Sequence, residues 1–390
     1  MPTPSSHSDS LATRIGDALK FRSFCSLSWL AGHLPLRLSY WIGARIGDFI
    51  YLFWTEHSGN AVSNMLRVLG PDTPPAAIRH ATRKAFHNYV QVLIDFLRMP
   101  YVSLNRLERE IEGIGWEHLE AARQAGKGAI IAACHAGSWD FGGALLGRYG
   151  LPLTAVADPM KPQRLDDFVS GQRARMGIKT VPANDPGALR RLFTVLRQNE
   201  FVALHVDRPV PGEGVEVRFF GEPAWVPSGP AAIALKTGAA IIPGFLLRNP
   251  GRGPRFRGQF APAIDYQPLL TGDKEHDIQA IAQAIMTFME GVIRDNPTQW
   301  YMFRRMWPRI DLRERRMTRV GRRLDAFRRW RTGRARRRTA VEGLGLGISV
   351  DPPVIEEWVG AQNPAPAPAP PPAPRPLEQT ATEHPATAKP

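Results

Sequence analysis

The residues best placed to do chemistry are His135 and Asp140, in the run His135-Ala-Gly-Ser-Trp-Asp140. A neutral imidazole can act as a general base when its second nitrogen is held. Asp140, across a tight turn, can accept that second N–H and stabilise the imidazolium that forms. This is the logic of a Ser-His-Asp relay without the serine. The nucleophile would be a hydroxyl of a bound substrate, attacking a thioester directly with no covalent enzyme intermediate. Cys134 next door offers a rival, a thiolate nucleophile. Alternation along a strand would point residue 134 to the opposite face from His135, which argues against it. Taken alone, an H-x4-D spacing also fits an ordinary structural histidine.

The surroundings of the run explain why it would face a cleft. It follows the short apolar stretch AIIAAC and precedes SWDFGGALLGRYG, which reads as a helix. In a parallel sheet, ligands gather where strands end and helices begin. Gly137 lets backbone approach closely, and Ser138 is placed as an N-cap. The free N–H groups and positive end of the new helix suit a developing oxyanion. Further along, PLTAVAD, GIKTVPA, FVALHVD, EVRFFG, AAIIPGFLLR and RFRGQFAPAID read as strands, most of them separated by helical stretches. That alternation predicts an α/β fold, with a mostly parallel central sheet flanked by helices.

Five regions are expected: a loose, disordered start over 1–17, helices over 18–110, the α/β domain over 111–310, a basic amphipathic helix within 311–340, and a Pro/Ala-rich disordered tail over 341–390. The basic helix carries Met317, Val320, Leu324 and Phe327 on one stripe, with arginines on the other faces. The charge is concentrated there. Between Arg304 and Arg338 stand sixteen arginines and three acids, which is nearly all of the net +14. The rest of the chain is close to neutral. Such an extension fits an anionic membrane surface or nucleic acid.

MPTPSSHSDS lacks the ordered regions of a signal peptide. The stretch from Phe21 to Trp54 is apolar and aromatic, but Arg22, His33, Pro35, Arg37, Arg45 and Asp48 interrupt it, so it does not read as a spanning helix. It reads as one or two membrane-associating helices lying in the interface, with Trp29, Tyr40, Trp41, Tyr51 and Trp54 at headgroup level. Packing of these aromatics against the body is the alternative. The two cysteines suggest neither a disulfide framework nor a zinc site, and the scattered histidines imply no metal.

At this point the ordered motifs matter together: HAGSWD at 135–140, RARMG at 173–177, VDRP at 206–209, FFGEPAWVPSGPAAIALKTGAAIIP at 219–243 and PTQWYMFRRMWP at 297–308. This set resembles the lysophospholipid acyltransferase superfamily. It looks most like the branch holding bacterial lipid A acyltransferases of the lauroyl/myristoyl type and phosphatidylinositol mannoside acyltransferases. The resemblance implies acyl-CoA or acyl carrier protein as co-substrate, no further cofactor, a hydrophobic groove for the acyl chain, and a peripheral position on the cytoplasmic face of the inner membrane. It implies His135 as base and Asp140 as its orienting partner. Asp207 is the best match for a further relay acid, with Glu216 as fallback. Ser138, Trp139, Arg173 and Arg208 are implied substrate contacts, the two arginines towards phosphate or sugar. Pro227, Gly229 and Pro230 either shape the acyl entrance or serve as turn chemistry.

Two other readings compete with O-acyl transfer to a lipid or glycolipid hydroxyl. A thioesterase could use the same His-Asp pair with water. A nucleic-acid-binding protein could use the arginine run, but no recognised binding module accompanies it, and nucleic acid is not the expected partner.

Overall fold

The computed structural model describes residues 11–208, 214–249, 251 and 253–307. The basic helix and the Pro/Ala-rich tail lie outside the described residues. Five helices come first: α1 (Leu11–His33), α2 (Leu36–Phe53), α3 (Thr55–Leu69), α4 (Pro75–Arg98) and α5 (Leu104–Glu110). α1 begins inside the stretch expected to be loose. The helical reading of 18–110 agrees with the rest.

Strands and helices then alternate through β1 (Ile111–Ile114), α6 (Trp116–Gln124), β2 (Ala129–Ala133), α7 (Trp139–Arg148), β3 (Leu153–Ala157), α8 (Gln163–Arg175), β4 (Ile178–Pro182), α9 (Ala188–Arg197) and β5 (Phe201–His205). A hairpin of β6 (Val215–Phe219) and β7 (Glu222–Val226) follows, then α10 (Gly229–Thr237), β8 (Ala240–Arg248), β9 (Phe256–Phe260) and α11 (Lys274–Asp295). The main sheet runs β1-β9-β8-β2-β5-β3-β4. Only the β8–β9 pairing in it is antiparallel. The fold is therefore α/β with a mostly parallel sheet, as the alternation predicts.

β2 lies at the centre and is buried at every residue. A parallel strand covered on both faces needs an unbroken apolar run, which AIIAA supplies. Ile130 and Ala132 pack with residues of α9, α10 and α11 on one face. Ala129 and Ile131 pack with Leu119 of α6 and Leu146 of α7 on the other. Cys134 continues the first face and is buried in that core.

Two strands escaped the sequence pattern. IEGI is short and half polar, and it becomes β1 by pairing with β9 at the sheet edge. EPAWV contains Pro223, which lacks the N–H that a strand ladder uses. As β7 it sits in a two-stranded hairpin, where a missing N–H is tolerated. α11 closes the other edge of that hairpin. Gln283 bonds both the N–H and the C=O of Arg218, at 2.7 and 2.9 Å.

The N-terminal helices dock on the body at two places. Tyr51, Phe86 and Tyr89 pack with Tyr301 and Phe303, and the rings of Phe86 and Phe303 stack 4.2 Å apart. Beside the connection from β8 to β9, buried Asp95 of α4 accepts a hydrogen bond from Tyr40 of α2 at 2.6 Å and pairs with Arg248 and Arg255. Breaking a buried set of this kind leaves a charge uncompensated. Asp95→Asn should destabilise the protein by about 3 kcal/mol in urea unfolding. A loss below about 1 kcal/mol would mean the charges find water.

Candidate active site

The register of the central strands decides which residues meet. β2 and β5 are parallel neighbours, with Ala133 opposite His205. Each chain then continues for two residues past its strand, to His135 and to Asp207. His135 Nδ1 stands 3.6 Å from Asp207 Oδ1. That is ion-pair range, longer than a made hydrogen bond, and such contacts tighten on substrate binding. Asp207 is fully buried, and its Oδ2 accepts the indole N–H of Trp300 at 2.8 Å.

The backbone around His135 is clamped on both sides. Tyr301 N–H donates to His135 C=O at 2.8 Å, and Gly137 N–H donates to Gln299 C=O at 3.3 Å. Ser138 N–H donates to Leu246 C=O of β8 at 2.8 Å. The Gln299 side chain then grips Arg248 like an extra strand residue, accepting from its N–H at 2.7 Å and donating to its C=O at 3.0 Å. Gly137 is required for this approach. Its φ is +67°, and a Cβ there would lie 1.9 Å from Leu246 C=O. The N-terminal helices support the clamp from behind. Asn88 of α4 donates to Thr298 C=O at 2.8 Å, and Asn64 of α3 to Met302 C=O at 3.0 Å.

Asp140 has a different engagement from the one its spacing suggested. Arg173 of α8 holds its carboxylate, with Nε 2.8 Å from Oδ1. Asp140 sits in the first turn of α7, and α8 passes alongside. The carboxylate that the sheet register brings to His135 Nδ1 is Asp207. Arg173, expected to face phosphate or sugar, is committed to Asp140 and lies over the Phe96 ring at 5.6 Å. Ser138 occupies the N-cap position of α7, but its side chain makes no capping bond. Trp139 stands edge-on to His135 at 6.1 Å. Glu216 is exposed on β6. Pro230 lies in the first turn of α10, away from the residues lining the cleft.

Several residues at the site were missed in reading the sequence. His205 stacks on His135, with ring centroids 5.7 Å apart and planes 24° from parallel. Its signal was available, because a histidine in the apolar run FVALHVD shares a strand face with Asp207. Trp300, Gln299 and Tyr301 had no local signal, since they act on groups far away in the chain.

Trp139 and His205, the ring neighbours of His135, line a cleft between the sheet and α7. Ile131, Leu146, Leu153, Ile178, Leu246 and Phe260 give it apolar walls, and Asp140 also lines it. Burial holds the His135 pKa well below its ordinary value, and the charges of Arg208 and Arg304 push the same way. The imidazole is therefore neutral and ready to accept a proton. Burial raises the pKa of Asp158, while Arg208 and Arg304 oppose that rise.

A base with a lowered pKa stays competent as pH falls and is lost only when pH passes through the lowered value. The rate profile in kcat/KM should stay flat below the ordinary histidine value of 6.5. Its acid limb should lie well under it, and Arg208→Gln should move that limb upwards. A wild-type limb at or above 6.5 would contradict the electrostatic description.

Comparison with known proteins places this geometry in a family. The chain matches the bacterial lipid A biosynthesis acyltransferases over residues 23–309. It is 34% identical to a phosphatidylinositol mannoside acyltransferase of Mycobacterium tuberculosis, over 65% of this chain and 79% of that protein. It is 32% identical to the protein of that name from Mycolicibacterium smegmatis, over 66% and 82% of the two chains. A lipid A biosynthesis acyltransferase of Haemophilus influenzae is 27% identical over 67% and 80%. With the match covering most of its length, the chain belongs to the bacterial lipid A biosynthesis acyltransferase family and is an acyltransferase.

Proposed function

We propose that the protein moves a fatty acyl chain from a CoA or acyl carrier protein thioester to a hydroxyl of a phosphatidylinositol mannoside-type glycolipid, at the cytoplasmic face of the cell membrane. The observation that carries this is the His135–Asp207 pair, whose imidazole stacks on His205 of the apolar cleft wall. The cleft suits an extended hydrocarbon chain, and the pair suits proton removal from an alcohol. The curated relatives with higher identity favour the mannoside type over lipid A.

In this mechanism the acceptor hydroxyl hydrogen-bonds to His135 Nε2, because Nδ1 faces Asp207. Its oxygen bonds to the thioester carbon while its proton passes to Nε2. Asp207 stabilises the imidazolium so formed. The tetrahedral intermediate then expels the thiolate, which takes the proton and leaves as a thiol. Asp140 and Arg173 hold the start of α7 against α8, steadying the cleft wall. Arg208, with Arg304 and Asp158 in its electrostatic reach, would receive the polar head of a substrate.

Membrane contact would come from α1 and α2. Trp29, Trp41 and Phe49 are each more than half exposed there, although the residues are large and apolar. Such a face next to Arg22, Arg37 and Arg45 suits an anionic interface. Among the described residues no helix is long and apolar enough to cross a membrane.

The test is transfer of labelled palmitate from palmitoyl-CoA to phosphatidylinositol mannoside in anionic vesicles, with a lipid A precursor as the second acceptor. His135→Ala should lower transfer at least about 1,000-fold. Trp41→Ser with Phe49→Ser should lower it on vesicles but not on detergent-dispersed acceptor. Equal transfer by wild type and His135→Ala would end the proposal, and a wild type active only on the lipid A precursor would reassign the acceptor.

A further inference from the structure

Inside the same cleft lies a second histidine that the reaction as described does not use. His205 sits at the carboxyl end of β5, beside Ala133 of β2 and against the His135 ring. It is surrounded by apolar side chains of the cleft wall. Its Nε2 is buried and makes no hydrogen bond among the described residues. A buried polar atom left in this state costs about 1–3 kcal/mol. A fold keeps such an atom at that cost when a ligand supplies the partner.

The environment fixes what kind of partner this can be. Burial, with the charge of Arg208 added, keeps the His205 ring neutral. A neutral imidazole with its one proton on Nε2 can donate there without competing with His135 for the proton. Close by, the Trp139 indole is perpendicular to His205 at 6.2 Å, and its Nε1–H is also buried without an acceptor among the described residues. Two unused donors therefore line one cleft next to the base. The space between these donors and His135 must hold the acyl carbonyl if the acceptor hydroxyl is to reach both base and carbon. A ring spacing of 5.7 Å leaves room for that arrangement. A base takes a proton about 3 Å away, and the carbonyl oxygen lies a bond beyond the attacked carbon.

We propose that His205 is a further catalytic residue, whose N–H donates a hydrogen bond to the carbonyl oxygen of the acyl thioester and to the oxyanion formed when the acceptor attacks. The inference rests on the acyl-transfer reading above. The proton balance of the reaction is unchanged, since His205 donates a hydrogen bond and keeps its proton. The Trp139 indole stands as the neighbouring donor. The bond strengthens as charge develops on oxygen, so its effect falls on kcat.

The test measures steady-state acyl transfer with palmitoyl-CoA, on whichever of the two acceptors wild type uses. Its variants are His205→Phe, His205→Gln and, in parallel, His135→Ala. Phe keeps the stacked ring and removes the N–H, whereas Gln restores a donor. His205→Phe should lower kcat about 100-fold with KM for palmitoyl-CoA nearly unchanged, and His205→Gln should recover at least about 10-fold of that loss. Thermal unfolding of each variant separates a folding defect from a chemical one, and the Gln recovery cannot come from stability alone if the two unfold together. A His205→Phe enzyme within about threefold of wild type would overturn the inference while His135→Ala stays inactive. Equal loss in the Phe and Gln variants would also overturn it. If His135→Ala retains full activity, or wild type uses neither acceptor, the acyl-transfer reading itself falls and takes this inference with it.

Discussion

The central constraint is the held backbone of His135. A catalytic imidazole is useful only if its ring is aimed, and this ring is aimed from its main chain outwards. Residues 299–301 lie along one side of the His135–Gly137 turn and β8 along the other. Gln299 ties the two sides together by bonding Arg248 twice. Trp300, between the two clamping residues, turns its indole to the carboxylate beside the imidazole. One short segment therefore fixes both His135 and Asp207. The segment in turn is fixed by asparagines and aromatic rings of α3 and α4. The N-terminal helices thus do two jobs. One face supports the site and another is left exposed and apolar.

The electrostatics follow from that rigidity. The charged form of a buried imidazole is disfavoured, and two nearby arginines disfavour it further. Such a base is in its accepting form at neutral pH but is intrinsically weak. A carboxylate near Nδ1 offsets the weakness at the moment the proton arrives. In the proposed reaction, these arginines would meet anionic groups of the lipid or thioester. An anion beside them would neutralise part of their field and make His135 more basic when substrate is present.

Much of this was legible in the residues, for identifiable reasons. The sheet class followed from apolar runs alternating with helical periods. β2 was plain because AIIAAC is unbroken. The position of His135 at a strand end followed from the same run. The partner of His135 was less plain, because spacing along the chain favoured Asp140, whereas pairing across the sheet brought Asp207 near. A turn shows which residues are close in sequence. Only strand register shows which residues are close across two strands, and register is set by the packing of the whole sheet. The ion partner of Arg173 was silent for a related reason: it lies on another helix. Gln299 and Trp300 were silent because their roles are long-range. β1 and β7 were silent because their strand state comes from a neighbour and not from their own composition.

The central claim is that His135 is a neutral base whose Nδ1 proton points to Asp207. Nitrogen-15 NMR of the His135 side chain reads tautomer and charge directly. The account predicts a neutral ring at pH 7 with the proton on Nδ1, and loss of that tautomer preference in Asp207→Asn. A charged ring at pH 7, or a proton on Nε2 that Asp207→Asn leaves untouched, would contradict it.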